Sequence, residues 1–416
     1  MVAKNILKVL YAPHKVFKEI IQNPGYLGPF VLLIIFVLAQ VGGAYVVASR
    51  SYIETSAPQT LPLSGQGDLW TEDAAFWKAN EGVTVRNNTV DYINSSYATT
   101  SIEFTASNAS NVWTEINFDG SVNCGVGGFQ NVSFRVKLLA PDVTPENVSF
   151  YLNSLSGSNF YYDLTSEFSN SAINVWNNIT LTVGSSAEGW VSSGASATWE
   201  NVTGLKLDFT WSNDSNVDLR VDGLFFKGDY EGILDLYDIS YLANAALNAF
   251  APFLFEWLLL TGLIYVMIKG LKGNVIWRPL MVAVGFALVV IVIQAAILAV
   301  VYTALPNLYY PLEVLAGAPE EFAVAYQVIL DEIAFVTLVG GVIQAAVYVW
   351  TVALGTFIVR AVTSDAKIAE QLGVGKAASE TTASGEVEGF SWIKCILVSG
   401  ASLFLTILIL GLVLGI

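Results

Sequence analysis

Five long apolar segments constrain the fold of this chain more than any other feature. A helix needs about 20 largely apolar residues, at about 1.5 Å of rise each, to cross the hydrocarbon core of a bilayer. The segments that meet this length cover roughly 28–49, 249–270, 279–304, 333–359 and 393–416. We therefore predict an α-helical membrane bundle of five transmembrane helices, with a lead-in over 1–27 and a linker over 360–392.

A polar segment of the chain, 50–248, separates the first apolar segment from the second. Residues 51–248 hold 23 acidic and 7 basic residues, and they carry the whole net charge of −16. Nucleic acid attracts Lys-rich and Arg-rich surfaces, so a surface this acidic excludes it as a partner.

Basic residues near the ends of the apolar segments predict their direction. They gather before the first segment, between the second and third, and between the fourth and fifth, whereas the loop 305–332 has five acids and no base. Because such residues concentrate on the cytoplasmic side, we expect a multi-pass plasma-membrane protein with its N-terminus inside. The segment 50–248, the loop 305–332 and the C-terminus are then outside.

The lead-in is amphipathic over 4–22, and two interpretations stay open. It is either an interfacial helix on anionic lipid or a packed lead-in to the first transmembrane helix. Its apolar face consists of Val16, Phe17, Ile20 and Ile21.

Histidine and cysteine restrict the chemistry. His14 is the only histidine, which excludes Ser-His-Asp and Cys-His catalysis and His-rich metal sites. Cys124 is expected in an exposed, glycine-rich loop outside, on the other side of the bilayer from Cys395, so no internal disulfide is predicted.

The polar segment alternates apolar and polar residues over about 66–230, for example in 205–211 and 219–224. A period of two with frequent turn residues is typical of strands. About eight short strands predict an antiparallel β-sandwich inserted between the first and second transmembrane helices.

Within this pattern, one set of strand and turn segments matches a known class of sandwich. The matching residues are 131–139, 160–162, 175–180, 189–190, Trp199 and 221–226. They resemble jelly-roll modules of the galactose-binding or carbohydrate-binding type. The resemblance implies glycan binding and, in many such modules, a structural calcium. Trp190 and Trp176 are the candidate ligand-binding residues, with core packing as the alternative, and Asp222 is the candidate calcium ligand.

Eight Asn-X-Ser/Thr sequons occur in the polar segment, whereas its composition gives roughly four by chance. The excess predicts an N-glycosylated external surface, of a kind that suits an archaeal cell better than a eukaryotic lumen. The candidate acceptors are Asn87, Asn94, Asn108, Asn131, Asn147, Asn178, Asn201 and Asn213.

The membrane part carries three short motifs near the ends of its apolar segments. They are Pro-x-x-x-Phe in the lead-in 12–17, a Gly-rich basic loop over 270–280, and Ser-x-x-Lys in 389–394. In this order they resemble the motifs before the first, third and last spans of the Yip-domain family. The resemblance implies five spans with the N-terminus inside. Eukaryotic members interact with Rab-type GTPases, but the Asp-Leu-Tyr-Gly-Pro signature ahead of the first span is absent, so no GTPase partner is predicted.

Four polar side chains within the apolar segments fall at a similar depth. Counted at about 1.5 Å per residue, Gln40, Glu256, Gln294 and Gln344 lie within about 6 Å of one another in depth, in the outer leaflet. They are either hydrogen-bonding contacts between helices or a lipid or proton site centred on Glu256.

Together these features favour a non-enzymatic membrane protein that displays a β-sandwich for a glycan or another surface ligand. Its expected partners are the lipid bilayer and a glycan or cell-surface glycoprotein, and no cofactor is expected beyond the structural calcium. One alternative is a transporter or lipid-handling protein that uses the Glu/Gln cluster. The other is a membrane-bound hydrolase with an Asp/Glu pair in the sandwich.

Overall fold

Two compact units make up the protein in its computed structural model. The helical unit comprises 1–50, 237–306 and 332–416, and the β unit comprises 51–236 and 307–331. The structure describes residues 2–58, 70–93, 99–169, 172–316, 319–364 and 389–414.

The α-helices of the described residues do not all follow one another directly, because strands of the β unit separate the third from the fourth and the fourth from the fifth. They are α1 (Val2–Tyr11), α2 (Pro13–Gln22), α3 (Leu27–Ala48), α4 (Thr165–Ser169), α5 (Ile233–Gly270), α6 (Trp277–Ala287), α7 (Val289–Val301), α8 (Leu312–Ala316), α9 (Pro319–Thr363) and α10 (Trp392–Leu414).

Five helical stretches among the described residues are long and apolar enough to cross a membrane. Each overlaps one predicted segment, but the second and fourth are longer than predicted, at 32 and 43 residues. Most of the extra residues lie at their N-terminal ends, where the sequence is more polar and carries no span signal. That these helices cross a bilayer, and in which direction, stays a prediction. Their bounds are Leu27–Ala48, Ile239–Gly270, Trp277–Ala304, Glu321–Thr363 and Trp392–Val413.

The lead-in helices α1 and α2 are packed into the core of the helical unit. Val16, Phe17, Ile20 and Ile21 are all buried, and they join the core formed by the longer helices. This packing favours the second interpretation of the amphipathic pattern, because protein rather than lipid covers the apolar face.

The β unit is built from strands that are hydrogen-bonded into one continuous, mainly antiparallel array. They are β1 (Ser51–Ala57), β2 (Trp77–Ala79), β3 (Val83–Asn88), β4 (Ser101–Val122), β5 (Asn131–Ala140), β6 (Asn147–Ser154), β7 (Asn159–Asp163), β8 (Asn177–Thr182), β9 (Val191–Ser192), β10 (Val202–Gly232) and β11 (Leu308–Tyr310).

Strands β4 and β10 pair with each other along most of their length and belong to both halves of the array. The first half has the order β9-β7-β6-β10-β4-β2, and the second half has the order β3-β4-β10-β5-β8. Side chains of the two halves meet in one core, where Phe134 of β5 stacks on Phe150 of β6 at 5.1 Å. The predicted antiparallel β-sandwich is confirmed, whereas the jelly-roll assignment stays a prediction.

Two strands are much longer than the short strands predicted from the sequence. β4 has 22 residues and β10 has 31, so 205–211 and 219–224 are parts of the same strand. The pairing register shifts between Thr210 and Ser215, at a polar stretch with a turn-like composition. A local bulge absorbs these residues without ending the strand.

The segment 307–331 belongs to the β unit and is not a free loop. β11 pairs in parallel with β1, with Ser51 opposite Leu308. The backbone N–H of Leu312 donates to Glu54 Oε2 at 2.7 Å. Burial raises the pKa of the Glu54 carboxyl, and this N–H only partly offsets the effect.

Cys124 is buried in the core of the β unit, so the expectation of an exposed loop thiol is wrong. Its backbone N–H donates to the carbonyl of Trp199 at 2.7 Å, which fixes the residue beneath the glycine-rich turn. Burial raises the pKa of the Cys124 thiol to about 12.

Candidate functional site

The outward side of the first half of the sandwich carries a row of aromatic and polar side chains. Strand pairing places Tyr161 opposite Tyr151, Tyr151 opposite Lys206, and Lys206 opposite Glu115. Successive side chains of a strand point to opposite sides of a sheet. The adjoining residues, such as Leu152, are buried in the core. The row therefore faces away from the core.

Three rings and one cation form the centre of this surface, which we call the aromatic face (Trp113, Tyr151, Tyr161 and Lys206). Lys206 Nζ lies 5.1 Å from the ring centre of Trp113 and 5.5 Å from that of Tyr151. The Tyr151 and Tyr161 rings lie 5.3 Å apart at an angle of 47°. All four side chains are partly exposed, and the contacts among them limit their rotamer freedom.

Amide and carboxylate groups lie beside the rings. Lys206 Nζ donates to Asp208 Oδ2 at 2.9 Å, and Asn111 Nδ2 donates to Asp208 Oδ1 at 2.7 Å. Asn153 Nδ2 donates to Glu115 Oε1 at 2.8 Å. Carboxylates accept from hydroxyl groups, and amides both donate and accept. The surface thus combines flat apolar rings with groups that bind polyhydroxyl ligands.

The alternation that predicted the sandwich also contained the signal for this surface. In 205–211 the apolar residues face the core, so Lys206 and Asp208 must face outward, and Tyr151 occupies the outward position of its own strand. An aromatic residue in an outward position, such as Tyr151, is the sequence signal for this surface. The prediction of Trp190 instead rests on its position directly after Gly189.

Trp190 packs on the core side of the sandwich. Its ring contacts Phe150, Tyr162 and Trp199 at centroid distances between 5.2 and 5.8 Å. Its indole N–H donates to the carbonyl of Thr182 at 2.8 Å. Its predicted role in ligand binding stays a prediction, and these contacts favour the alternative of core packing.

Trp176 lies beside an ion-pair network on the second half of the sandwich. Lys137 Nζ is 5.9 Å from the Trp176 ring centre and 2.9 Å from Asp91 Oδ2. Burial raises the pKa of Asp91, but the hydrogen bond and charge of Lys137 and the charge of Arg220 outweigh it, so the pKa is lowered. The predicted role of Trp176 in ligand binding stays a prediction.

The candidate calcium ligand Asp222 is fully buried and bonded to protein donors. Thr71 Oγ1 donates to its Oδ1 at 3.2 Å, Gly223 N donates to the same oxygen at 2.7 Å, and Ile93 N donates to Oδ2 at 2.6 Å. Calcium needs six to eight oxygen ligands. Within the described ranges no group of three His, Cys, Asp or Glu could hold a metal ion. The residues around Asp222 therefore do not fit a calcium site.

The sequons differ in their surroundings. Asn87 and Asn178 are exposed, but their side-chain amides donate to the carbonyl of Glu72 at 2.9 Å and to Glu321 Oε1 at 2.8 Å. Asn94 lies outside the described residues. That the sequons are glycosylated stays a prediction. Of the others, Asn108, Asn147 and Asn213 are exposed, and Asn131 and Asn201 are half-buried.

In the helical unit the structure brings the four polar residues of the apolar helices to one cavity. Gln40, Glu256, Gln294 and Gln344 all line it, and its volume is about 410 Å³. The Nε2 of Gln294 donates to the Oε1 of Gln344, which is the contact between helices that their common depth predicted.

No protein-family model matches the chain, and no curated protein matches it. The resemblance to the Yip-domain family therefore has no support from these comparisons.

Solved structures that resemble the chain include β-sandwich carbohydrate-binding modules. One is the family 11 module from Clostridium thermocellum in complex with a β-1,3-1,4-mixed-linked tetrasaccharide. Its sequence is 14% identical to this chain. The alignment covers 42% of this chain and 94% of the module, with a TM-score of 0.26. Another comes from a study of promiscuous specificity in carbohydrate-binding modules of the β-sandwich superfamily. It is 12% identical, and the alignment covers 40% of this chain and 63% of the other, with a TM-score of 0.26. A β-1,2-glucanase from Parabacteroides distasonis is 11% identical. The alignment covers 39% of this chain and 24% of the glucanase, with a TM-score of 0.28.

Proposed function

We propose that the β unit binds an oligosaccharide on its aromatic face, and that the helical unit anchors it at the outer surface of a cell membrane. The observation that carries the proposal is the alignment of Trp113, Tyr151 and Tyr161 on one outward face, with Lys206 between them. Aromatic rings of this size are normally buried in a sandwich core, so three partly exposed rings on one outward face require an explanation.

The chemistry of the face suits a sugar. The apolar side of a pyranose ring can stack on an aromatic ring, and its hydroxyl groups can bond to the nearby carboxylates and amides. The face extends over β4, β10, β6 and β7. Three gaps of about 4.8 Å between these strands give a width of about 14 Å. A ligand longer than one sugar ring fits this width.

The membrane orientation in the proposal rests on charge. The basic residues that flank the apolar helices lie almost entirely on one side of the predicted bundle, and such residues concentrate in the cytoplasm. This arrangement exposes the β unit outside, where polysaccharides and glycoproteins are available as ligands. The proposal is one of binding without catalysis, so the bound oligosaccharide should be recovered uncleaved.

The test is a glycan array probed with the full chain in lipid nanodiscs. Maltoside detergents are avoided because they carry a sugar that competes for the face. Trp113→Ala and Tyr151→Ala should each weaken binding about tenfold, because an aromatic stacking contact contributes about 1–1.5 kcal/mol. Phe76→Ala is the matched control, since Phe76 is 52% exposed in the β unit and is not part of the face.

Two results would count against this function. One is the absence of binding to any glycan by a well-folded protein. The other is an affinity that survives both Trp113→Ala and Tyr151→Ala. A loss of affinity in Trp190→Ala, without a loss of folding, would return the site to the tryptophan predicted from the sequence.

A further inference from the structure

The cavity of the helical unit has a polar part and an apolar part. Its amide and carboxyl side chains are Gln40, Glu256, Gln294 and Gln344, and they come from α3, α5, α7 and α9. The other lining residues, such as Phe36 and Leu403 of α10, are mostly apolar. The cavity therefore lies among all five long helices and has one acidic group in its wall.

Glu256 makes no hydrogen bond or ion pair with any residue that the structure describes, although it lines a largely apolar cavity. An ionised carboxylate away from water is costly unless a cation or a hydrogen-bond donor compensates it. The hydrogen bond between Gln294 and Gln344 uses one polar group of each amide. The second group of each amide is available to a ligand, next to the carboxylate.

The residues that line the cavity indicate the charge of its ligand, and the volume of the cavity indicates the ligand's size. Its residues, as far as they are described, include no Lys, Arg or His, so an anion would meet the Glu256 charge with no cation to bind. A volume of about 410 Å³ is far larger than an inorganic ion needs, and it falls within the range of small-molecule sites. Two of the lining residues, Phe36 and Tyr348, are aromatic, and aromatic rings attract organic cations.

We propose that this cavity is a binding site for an organic cation with an apolar body, such as a substituted ammonium ion. The cationic head lies at Glu256 and the apolar body lies against the hydrophobic wall. Such a group occurs both in a free lipophilic amine and in the headgroup of an amine lipid. The proposal concerns the helical unit alone and does not depend on glycan binding.

The probe is radiolabelled tetraphenylphosphonium, titrated onto the full chain in nanodiscs of phosphatidylglycerol, a lipid without an amine headgroup. Empty nanodiscs correct for partition into lipid. Tetraphenylborate has nearly the same shape and the opposite charge, so it should not bind specifically. Glu256→Gln keeps the shape of the side chain and removes its charge. It should weaken tetraphenylphosphonium binding about tenfold or more, as expected for the loss of the attraction between two opposite charges away from bulk water.

Glu332→Gln is the matched control, because Glu332 is an exposed acid of the helical unit that does not line the cavity. It should leave the affinity unchanged, and Gln344→Leu should lower it. Equal affinity in wild type and Glu256→Gln, or equal binding of tetraphenylborate, would overturn the proposal.

A second lipid separates the two sources of the cation. If phosphatidylethanolamine weakens tetraphenylphosphonium binding to the wild type by more than it weakens binding to empty nanodiscs of the same lipid, the amine headgroup competes and is the natural occupant. If it does not, the occupant is a free amine. Both results support a site for an organic cation.

Discussion

Replacing Glu321 by alanine should release the segment 307–331 from the rest of the β unit. The Glu321 carboxylate accepts from Arg135 Nε at 3.2 Å and from Arg135 Nη2, a bidentate pair. It also accepts from Asn178 Nδ2 at 2.8 Å. Glu321→Ala removes all three hydrogen bonds and leaves the guanidinium in place.

The size of the effect follows from the burial of the pair. The Arg135 side chain is 4% exposed and that of Glu321 is 25% exposed. Removing one partner of a fully buried ion pair costs about 3–5 kcal/mol, and partial exposure of the carboxylate reduces this to about 2–3 kcal/mol. At about 1.4 kcal/mol per factor of ten, the open state of the segment becomes about 30- to 150-fold more populated.

Hydrogen exchange of the full chain in nanodiscs measures this opening. Amide exchange in 308–316, which covers β11 and α8, should accelerate by that factor, because local opening governs exchange there. Glu321→Gln should show a smaller effect, since the neutral side chain can still accept from Arg135 and Asn178. Glu332→Ala, at an exposed acid, should show none.

Unchanged exchange in 308–316 would refute the reasoning, because it would mean that the ion pair does not hold the segment. Equal acceleration throughout the β unit would also contradict it. In that case the segment and the sandwich would open as one body.

Three further predictions concern other contacts. Gly223→Ala should cost about 2–4 kcal/mol of β-unit stability and Gly82→Ala about 1, measured by thermal unfolding with tryptophan fluorescence. Both residues have positive φ, but only at Gly223 would a Cβ lie 2.5 Å from a guanidinium nitrogen, so equal costs would contradict this reading. Gln294→Leu and Gln344→Leu should each cost about 0.5–2 kcal/mol in free energy of unfolding. Their effects should be non-additive in a double-mutant cycle, because one hydrogen bond joins the two side chains. Strict additivity would show that they do not interact. Cys124 should resist a membrane-impermeant thiol reagent at neutral pH until the protein unfolds, since its thiol is buried and its pKa is about 12; rapid labelling of the folded protein would refute its burial.

The sandwich could be predicted because alternation is a local property of the sequence. In 205–211, every second residue is apolar and enters the core, so the type of structure follows directly. The length of β10 could not be predicted in this way. Its polar residues near Ser215 resemble a turn, and only pairing with β4 keeps them in the strand.

The placement of 307–331 depends on contacts that are distant along the chain. Lys227 pairs with Glu313, and Arg135 pairs with Glu321, but the acids alone resemble a solvated loop. The sequence alone does not show which acid pairs with which base, because the partners are far apart along the chain. The sequence does predict the juxtaposition of Gln294 and Gln344, because depth along a straight helix is proportional to residue number.

The parallel pairing of β1 with β11 has a consequence for biogenesis. β1 is among the first parts of the β unit to leave the ribosome, and β11 is made only after α5, α6 and α7. During that interval one edge of β1 lacks its final strand, and open edges invite pairing with other chains. Closure of this edge therefore has to follow translation of the second and third apolar helices. A chain truncated before Leu308 would keep this edge of β1 open and prone to aggregation, and a chaperone would have to cover it.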